Sequence, residues 1–190
     1  EPGAIGTPQY VLVELSRKPY RSGAGGWRYD AARVGSWTLE EPVHFFDLAR
    51  WYLAQHGDPA WIHAVGNSRD AARPGLYDNF SAIVRYCSGA YAVVSQTLAA
   101  FEHHQTVKIA GTTGAIWAAW SGALDRTLEP VCSLRVFDGE KLEDVKLARQ
   151  SGEVFELRQE IAMMVRCVRE GAPPAASGED GLWSAGLCLA

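Results

Sequence analysis

Hydrophobic positions alternate with polar ones over much of the chain. Tyr10-Val-Leu-Val-Glu-Leu15 is short, apolar and β-branched, and predicts a strand. Trp61-Ile-His-Ala-Val65 predicts another. Phe80, Ala82, Val84 and Tyr86 alternate with Ser81, Ile83 and Arg85, and Ser88-Gly89 turns the chain into residues 90–98, the signature of a hairpin. Residues 107–110 and 115–120 flank Gly111-Thr-Thr-Gly114, a second hairpin, and 133–137 and 142–147 flank Asp138-Gly139, a third. About eight strands joined mostly by tight turns imply a sheet rich in antiparallel pairs.

Two segments change to a helical period. Residues 39–55 place Val43, Phe46, Leu48, Trp51 and Tyr52 at helical spacing, and Gly57 supplies the stop. Two starts compete: Thr38-x-x-Glu41 has the form of a capping box, and Pro42 suits the first helical position, where its missing N–H costs nothing. The second is preferred, with Glu40 in the approach to the helix. Val154, Leu157, Ile161, Met164, Val165 and Val168 form one apolar stripe, with Glu153 and Glu156 at its start and Gly171 and Pro173-Pro174 at its end. Ser177-Gly-Glu-Asp180 reads as a capping box that opens a last helix. The order of strand, helix, many strands, then two helices predicts an α+β fold: a large open, mostly antiparallel β-sheet with helices packed on one face.

Composition narrows the classes. In 190 residues, 47% are hydrophobic and 21% charged, enough apolar content to bury a substantial core. The net charge of −4, with Lys and Arg scattered, gives no footprint for nucleic acid, and no apolar run reaches the length of a membrane span. Cys87, Cys132, Cys167 and Cys188 lie far apart without a CxxC pair, which suits four free thiols in a reducing cytoplasm. The chain opens on Glu1-Pro2 without Met and closes in an uncapped apolar stretch. It reads as a piece of a longer protein, whose N-terminal signals are out of view.

Candidate chemistry centres on Glu40-Glu-Pro-Val-His44-Phe-Phe-Asp47. On a helix, His44 and Asp47 occupy neighbouring positions of one face, and Glu40 lies one turn earlier. An acid beside an imidazole fixes its tautomer and raises its basicity, which makes an acid/base pair. The same residues also suit a plainer role, with acids complementing a helix start and a histidine satisfied in the core. They suit a metal as well, but no third or fourth ligand stands at a motif spacing. Trp27-Arg28-Tyr29 and Trp37 lie in a long glycine-rich loop before this helix; flat aromatic faces and a guanidinium fork suit a polyhydroxylated or carboxylated ligand, and equally ordinary packing. His103 and His104 are adjacent, point to opposite faces of an extended segment, and read as surface residues. Gly23-Ala-Gly25-Gly-Trp-Arg28 carries Arg where a dinucleotide fingerprint needs its third Gly, and no phosphate loop, GxSxG or HExxH is present.

Trp27-Arg28-Tyr-Asp30, then Gly35-Ser36, then His44-Phe-Phe-Asp47-Leu-Ala-Arg-Trp51 resemble the catalytic-domain signature of the Gfo/Idh/MocA oxidoreductases, relatives of glucose–fructose oxidoreductase and inositol dehydrogenase. Asp78-Asn79, Val107-Lys-Ile-Ala-Gly111-Thr-Thr-Gly114-Ala and the Ser177-Gly-Glu-Asp180 helix extend the resemblance over nearly the whole chain. It implies that residues 1–190 are a single C-terminal substrate-binding and oligomerisation domain. An N-terminal Rossmann domain, absent here, would bind NAD or NADP and supply a catalytic Lys; no cofactor is expected on this fragment, which alone would be inactive. His44 would exchange a proton with a sugar or polyol hydroxyl, Glu40 would stand in for a supporting Asp, and Trp27 and Arg28 would border the substrate together with Trp37. Asp47 would be structural. Subunits would associate through the sheet as a homodimer or homotetramer. The sequence departs from the signature at Val34-Gly35-Ser36, where a run of three Gly is usual, at Pro42, which replaces a Gly, and at Glu40, one methylene longer than Asp. The rival readings are a non-catalytic sugar-binding or oligomerisation module and a metal-dependent hydrolase or isomerase.

Overall fold

Every strand expected from the alternating pattern is present in the computed structural model, which describes residues 3–98, 103–121, 131–147 and 153–190, without the side chains of 153–155. The strands are β1 (Pro8–Ser16), β2 (Pro59–Asn67), β3 (Asn79–Tyr86), β4 (Tyr91–Thr97), β5 (His104–Gly111), β6 (Ala115–Trp120), β7 (Cys132–Phe137) and β8 (Leu142–Asp144). They form one sheet in the order β2-β3-β4-β1-β5-β6-β7-β8. β1 runs parallel to β4; every other pair is antiparallel. The first strand thus sits at the centre, joining the β2–β4 meander to the β5–β8 meander.

Alternation assigns the two faces. Val11, Val13 and Leu15 of β1, Phe80, Ala82, Val84 and Tyr86 of β3, Ala92 and Val94 of β4 and Ile109 of β5 are buried in one core. Helix α1 (Ala31–Val34) is a single turn in the loop, and α2 (Pro42–Leu53) lies on this core. Pro42 is at the start of α2, as the preferred reading has it. The buried stripe of α2 is Pro42, Phe45, Phe46, Ala49 and Leu53, whereas Trp51, counted among the apolar face in the sequence, is exposed. Both sets fit a period of 3.6; the packing of the sheet selects between them. Each fully buried Leu or Phe contributes roughly 1.5–3 kcal/mol.

Helices α3 (Glu153–Glu170) and α4 (Gly178–Leu189) complete the chain. The capping box of α4 forms as expected: Asp180 N–H donates to Ser177 Oγ, and Ser177 N–H donates to the Asp180 carboxylate. Leu187 carries α4 into the core beside α2. The stripe of α3 does otherwise. Leu157, Ile161, Met164, Val165 and Val168 are all exposed, Val168 to 81%. The side chains of Glu153 and Val154 lie outside the described residues. The outer face of the sheet is also open and partly apolar, with Trp61, Val65, Ile83, Tyr91 and Trp117 exposed. No described helix is long and apolar enough to cross a membrane.

Candidate functional site

The loop before α2 is built from local hydrogen bonds. Asp30 accepts from Ala32 N–H and caps α1, and Ser36 accepts from Thr38 N–H and caps a 3₁₀ turn at Trp37–Leu39. Gly23 has φ +72, and a Cβ there would lie 2.4 Å from Trp27 Nε1, so only glycine lets the Trp27 indole fold back onto the turn. Thr38 Oγ1 donates to the Cys188 carbonyl and Cys188 Sγ donates to the Thr38 carbonyl, which ties the loop to the end of α4. Burial pushes the Cys188 thiol up to about 12, so it remains a protonated, unreactive packing group.

Four of the five expected site residues converge here. The Arg28 guanidinium lies 4.6 Å over the Trp27 ring, and its Nε donates to the Glu40 carboxylate. The Trp37 indole N–H donates to the Arg28 carbonyl at 2.8 Å. Trp37 is only 3% exposed and packs edge-on against Tyr20 and Tyr29. It therefore supports the loop from beneath, while Trp27 and Arg28 form the accessible rim. The fifth residue, His44, is exposed on the first turn of α2, and its backbone N–H donates to the Glu41 carbonyl at 3.1 Å. Glu40 engages Arg28 and not His44, whose imidazole has no ion pair or hydrogen bond among the described residues. Asp47 accepts from Ser184 Oγ at 3.1 Å and joins α2 to α4, a structural use.

The reading of His103 as a surface residue is corrected. His103 is 9% exposed, and its Nε2 lies 3.1 Å from Glu41 Oε1. Arg17, one residue past β1, donates to Glu41 Oε2. Burial alone would raise the pKa of the Glu41 carboxyl; the hydrogen bond from His103 and the charge and hydrogen bond of Arg17 outweigh it and hold the group below the ordinary range. Tyr20, under the Arg17 guanidinium, has its phenol pKa raised by burial and by the neighbouring Glu41 charge. Sequence distance hid this cluster: Arg17 follows β1, Glu41 precedes α2 and His103 precedes β5, and only the position of β1 beside β5 brings them together. The sole signal was a second acid next to Glu40. A cleft of about 270 Å³ between β2, β3, α2 and the end of α4 is lined by Phe46, Ile62, Tyr77, Phe80 and Leu187, and contains none of the predicted site residues.

The glycine-rich stretch does not fit a dinucleotide. Residues 24–29 fold into a 3₁₀ turn with Gly25 and Gly26 left-handed, followed only by the single turn of α1, not into a strand-to-helix turn that would aim a long helix at a pyrophosphate. No group of three His, Cys, Asp or Glu placed to hold a metal occurs among the described residues.

Comparison with known proteins agrees with this architecture. The model of the GFO/IDH/MocA C-terminal domain matches residues 1–117. The chain belongs to the GFO/IDH/MocA family. It is similar to the myo-inositol 2-dehydrogenase of Thermotoga maritima, 28% identical over 187 residues, covering 95% of this chain and 52% of that protein. Among solved structures it is similar to the aldose-aldose oxidoreductase of Caulobacter crescentus in complex with glycerol, with a TM-score of 0.74, 20% identity, and coverage of 98% of this chain and 53% of that one. A levoglucosan dehydrogenase in complex with NADH is similar at a TM-score of 0.76 and 20% identity, with coverage of 98% and 56%. At that identity the two structures attest the fold. The chain spans about half the length of the curated relatives it matches.

Proposed function

We propose that this chain is the substrate-binding and oligomerisation half of an NAD(P)-dependent oxidoreductase that acts on a C–OH of a sugar, inositol or related polyol. The observation that carries the reading is the placement of His44, exposed on the first turn of α2 beside a loop that offers the Trp27 face and the Arg28 fork. The names of the relatives support the substrate class. His44 takes the hydroxyl proton in the oxidative direction and returns it in the reductive one. Arg28, braced by Glu40, borders the substrate with Trp27, and Trp37 holds that rim in place. The nicotinamide cofactor supplies hydride exchange, and its site is assigned to a Rossmann domain outside these residues, because the glycine-rich loop here does not form one. The isolated chain is accordingly silent. The lack of a CxxC pair or a disulfide framework in the sequence supports a reducing, cytoplasmic setting.

The open outer face of the sheet is assigned to a homodimer or homotetramer interface, since Trp61, Val65, Ile83, Tyr91 and Trp117 would otherwise stay wetted. Sedimentation of the full-length protein checks this; a stable monomer at micromolar concentration refutes it. For the division of labour, NAD(H) and NADP(H) are titrated calorimetrically into residues 1–190, and tight binding would overturn it. Replacing His44 by Ala in the full-length protein should abolish most turnover. One observation favours the rival, a non-catalytic sugar-binding or oligomerisation module: Glu40 spends its carboxylate on Arg28 and leaves His44 without a supporting acid. Unchanged turnover in His44→Ala would remove His44 from the mechanism.

A further inference from the structure

Glu40 and Glu41 diverge at the start of α2, and it is the second that is built into the protein. Glu41 is the residue before Pro42, the usual place for a capping side chain, yet it makes no cap hydrogen bond. Its carboxylate turns inward to Arg17 on one oxygen and His103 on the other. Its backbone carbonyl accepts the His44 N–H. One residue therefore joins the end of β1, the start of β5 and the first turn of the helix that carries His44.

A second observation says what kind of place this is. Among the described residues, four buried side-chain polar atoms of Gln96, His103 and Trp120 have no hydrogen-bond partner. These gather at one end of the sheet. Gln96 lies opposite Leu15, Leu15 opposite Gln105, and Gln105 opposite Trp120. The His103 ring meets the Trp120 ring edge-on at 5.4 Å, and Arg17 lies over Tyr20. Native interiors seldom keep that much hydrogen-bonding capacity unspent unless a hydrogen-bonding ligand or water uses it. Indole N–H, amide and imidazole are of the kinds that donate to and accept from hydroxyl groups. With Nε2 held by Glu41, the His103 ring keeps Nδ1 as its unspent atom.

We propose that Glu41 is a positioning residue for the reaction, fixing the His103 ring and the first turn of the His44 helix with one carboxylate. The inference rests on the oxidoreductase reading above. A buried ionic cluster of this kind adds little net stability, because desolvation consumes most of the attraction; what it fixes well is geometry. A displacement of about 1 Å in a catalytic group costs on the order of 100-fold in rate.

The test uses the full-length protein with Glu41→Gln and Arg17→Gln, singly and together, assayed well below the melting temperature of each variant. Glu41→Gln keeps the size of the side chain and loses the charge. Its kcat should fall about 10- to 100-fold with KM within about threefold. The double variant should be little worse than Glu41→Gln alone, because both act through one hold. Hydrogen exchange of the His44 backbone amide should speed up in the same variants, a readout independent of turnover. A folded Glu41→Gln with wild-type kcat and unchanged exchange at His44 overturns the proposal, as does a loss confined to KM. His44→Ala runs alongside. If it retains full activity, His44 drops out of the mechanism, and amide exchange alone then decides whether Glu41 holds the helix start.

Discussion

Two acid–imidazole arrangements sit within one helical turn of each other, and they differ in nearly every physical respect. Glu40 and His44 are the pair that sequence spacing suggests, but Glu40 reaches outward to Arg28, and the exposed His44 imidazole has no hydrogen-bond or ion-pair partner among the described residues. Glu41 and His103 are 62 positions apart, yet they meet in a buried cluster with Arg17. Helical spacing says which side chains can meet; burial and competing partners decide which do. Where a guanidinium is within reach, a carboxylate prefers that charged, forked donor to a neutral imidazole. On the proposed function, the first arrangement offers an imidazole to a substrate, and the second supplies rigidity beneath it.

The largest expected effect tests the exposed member. His44→Ala in the full-length protein should, on the proposed function, lower kcat by about 10²–10⁴-fold, the range for removing a general acid/base, with little change in melting temperature because the residue is exposed. A similar loss of stability and activity together would show that His44 is structural and erase the contrast between the two arrangements.

Next come the buried positions. Leu53→Ala removes a fully buried side chain from the α2 core and should cost about 2–5 kcal/mol in denaturant unfolding. Val168→Ser, at the exposed stripe of α3, should stay within about 0.5 kcal/mol in residues 1–190. If Val168→Ser costs as much as Leu53→Ala, α3 is packed and the exposed stripe is wrong.

Glu41→Gln should destabilise by about 3 kcal/mol at neutral pH, since removing one partner leaves buried charge uncompensated. The pH dependence has a definite sign. The folded carboxyl titrates below its ordinary range, so its contribution is complete above that range and drains away as pH falls through the lowered value. The stability gap between wild type and Glu41→Gln should therefore narrow as the pH falls below the ordinary carboxyl value of 4.5, as followed by urea melts. A gap that stays constant or widens toward acid would mean that the carboxylate is not held by Arg17 and His103.

The smallest effect belongs to the outer pair. Glu40→Gln breaks a partly exposed ion pair with Arg28 and should cost under about 1 kcal/mol, with its main consequence in KM through a looser Arg28 rim. A large fall in kcat at constant KM would restore Glu40 to the acid-supporting role that the sequence suggests, and would weaken the distinction between the two glutamates.

Much of the fold was legible in the sequence. Period-two alternation and Gly-containing turns located every strand, and Ser177 and Asp180 announced α4, because capping and pleating are local and leave a local trace. The start of α2 at Pro42 was equally readable. The inward face of α2 was only partly so: Trp51 and Leu53 both fit a helical stripe, and the sheet buries Leu53. The site was legible in composition but not in connection. Trp27, Arg28, Trp37 and Glu40 do come together, while the partner of Glu40 and the burial of His103 could not be read from spacing.

By itself, then, the sequence determined the kinds of element, their order and the small set of residues able to do chemistry, since these follow from side-chain type and short-range periodicity. Tertiary structure alone decided that β1 enters the middle of the sheet, and so brings Arg17 to Glu41 and Glu41 to His103. Those contacts depend on which strands lie side by side, and a long-range pairing leaves no mark on the residues nearby in the chain.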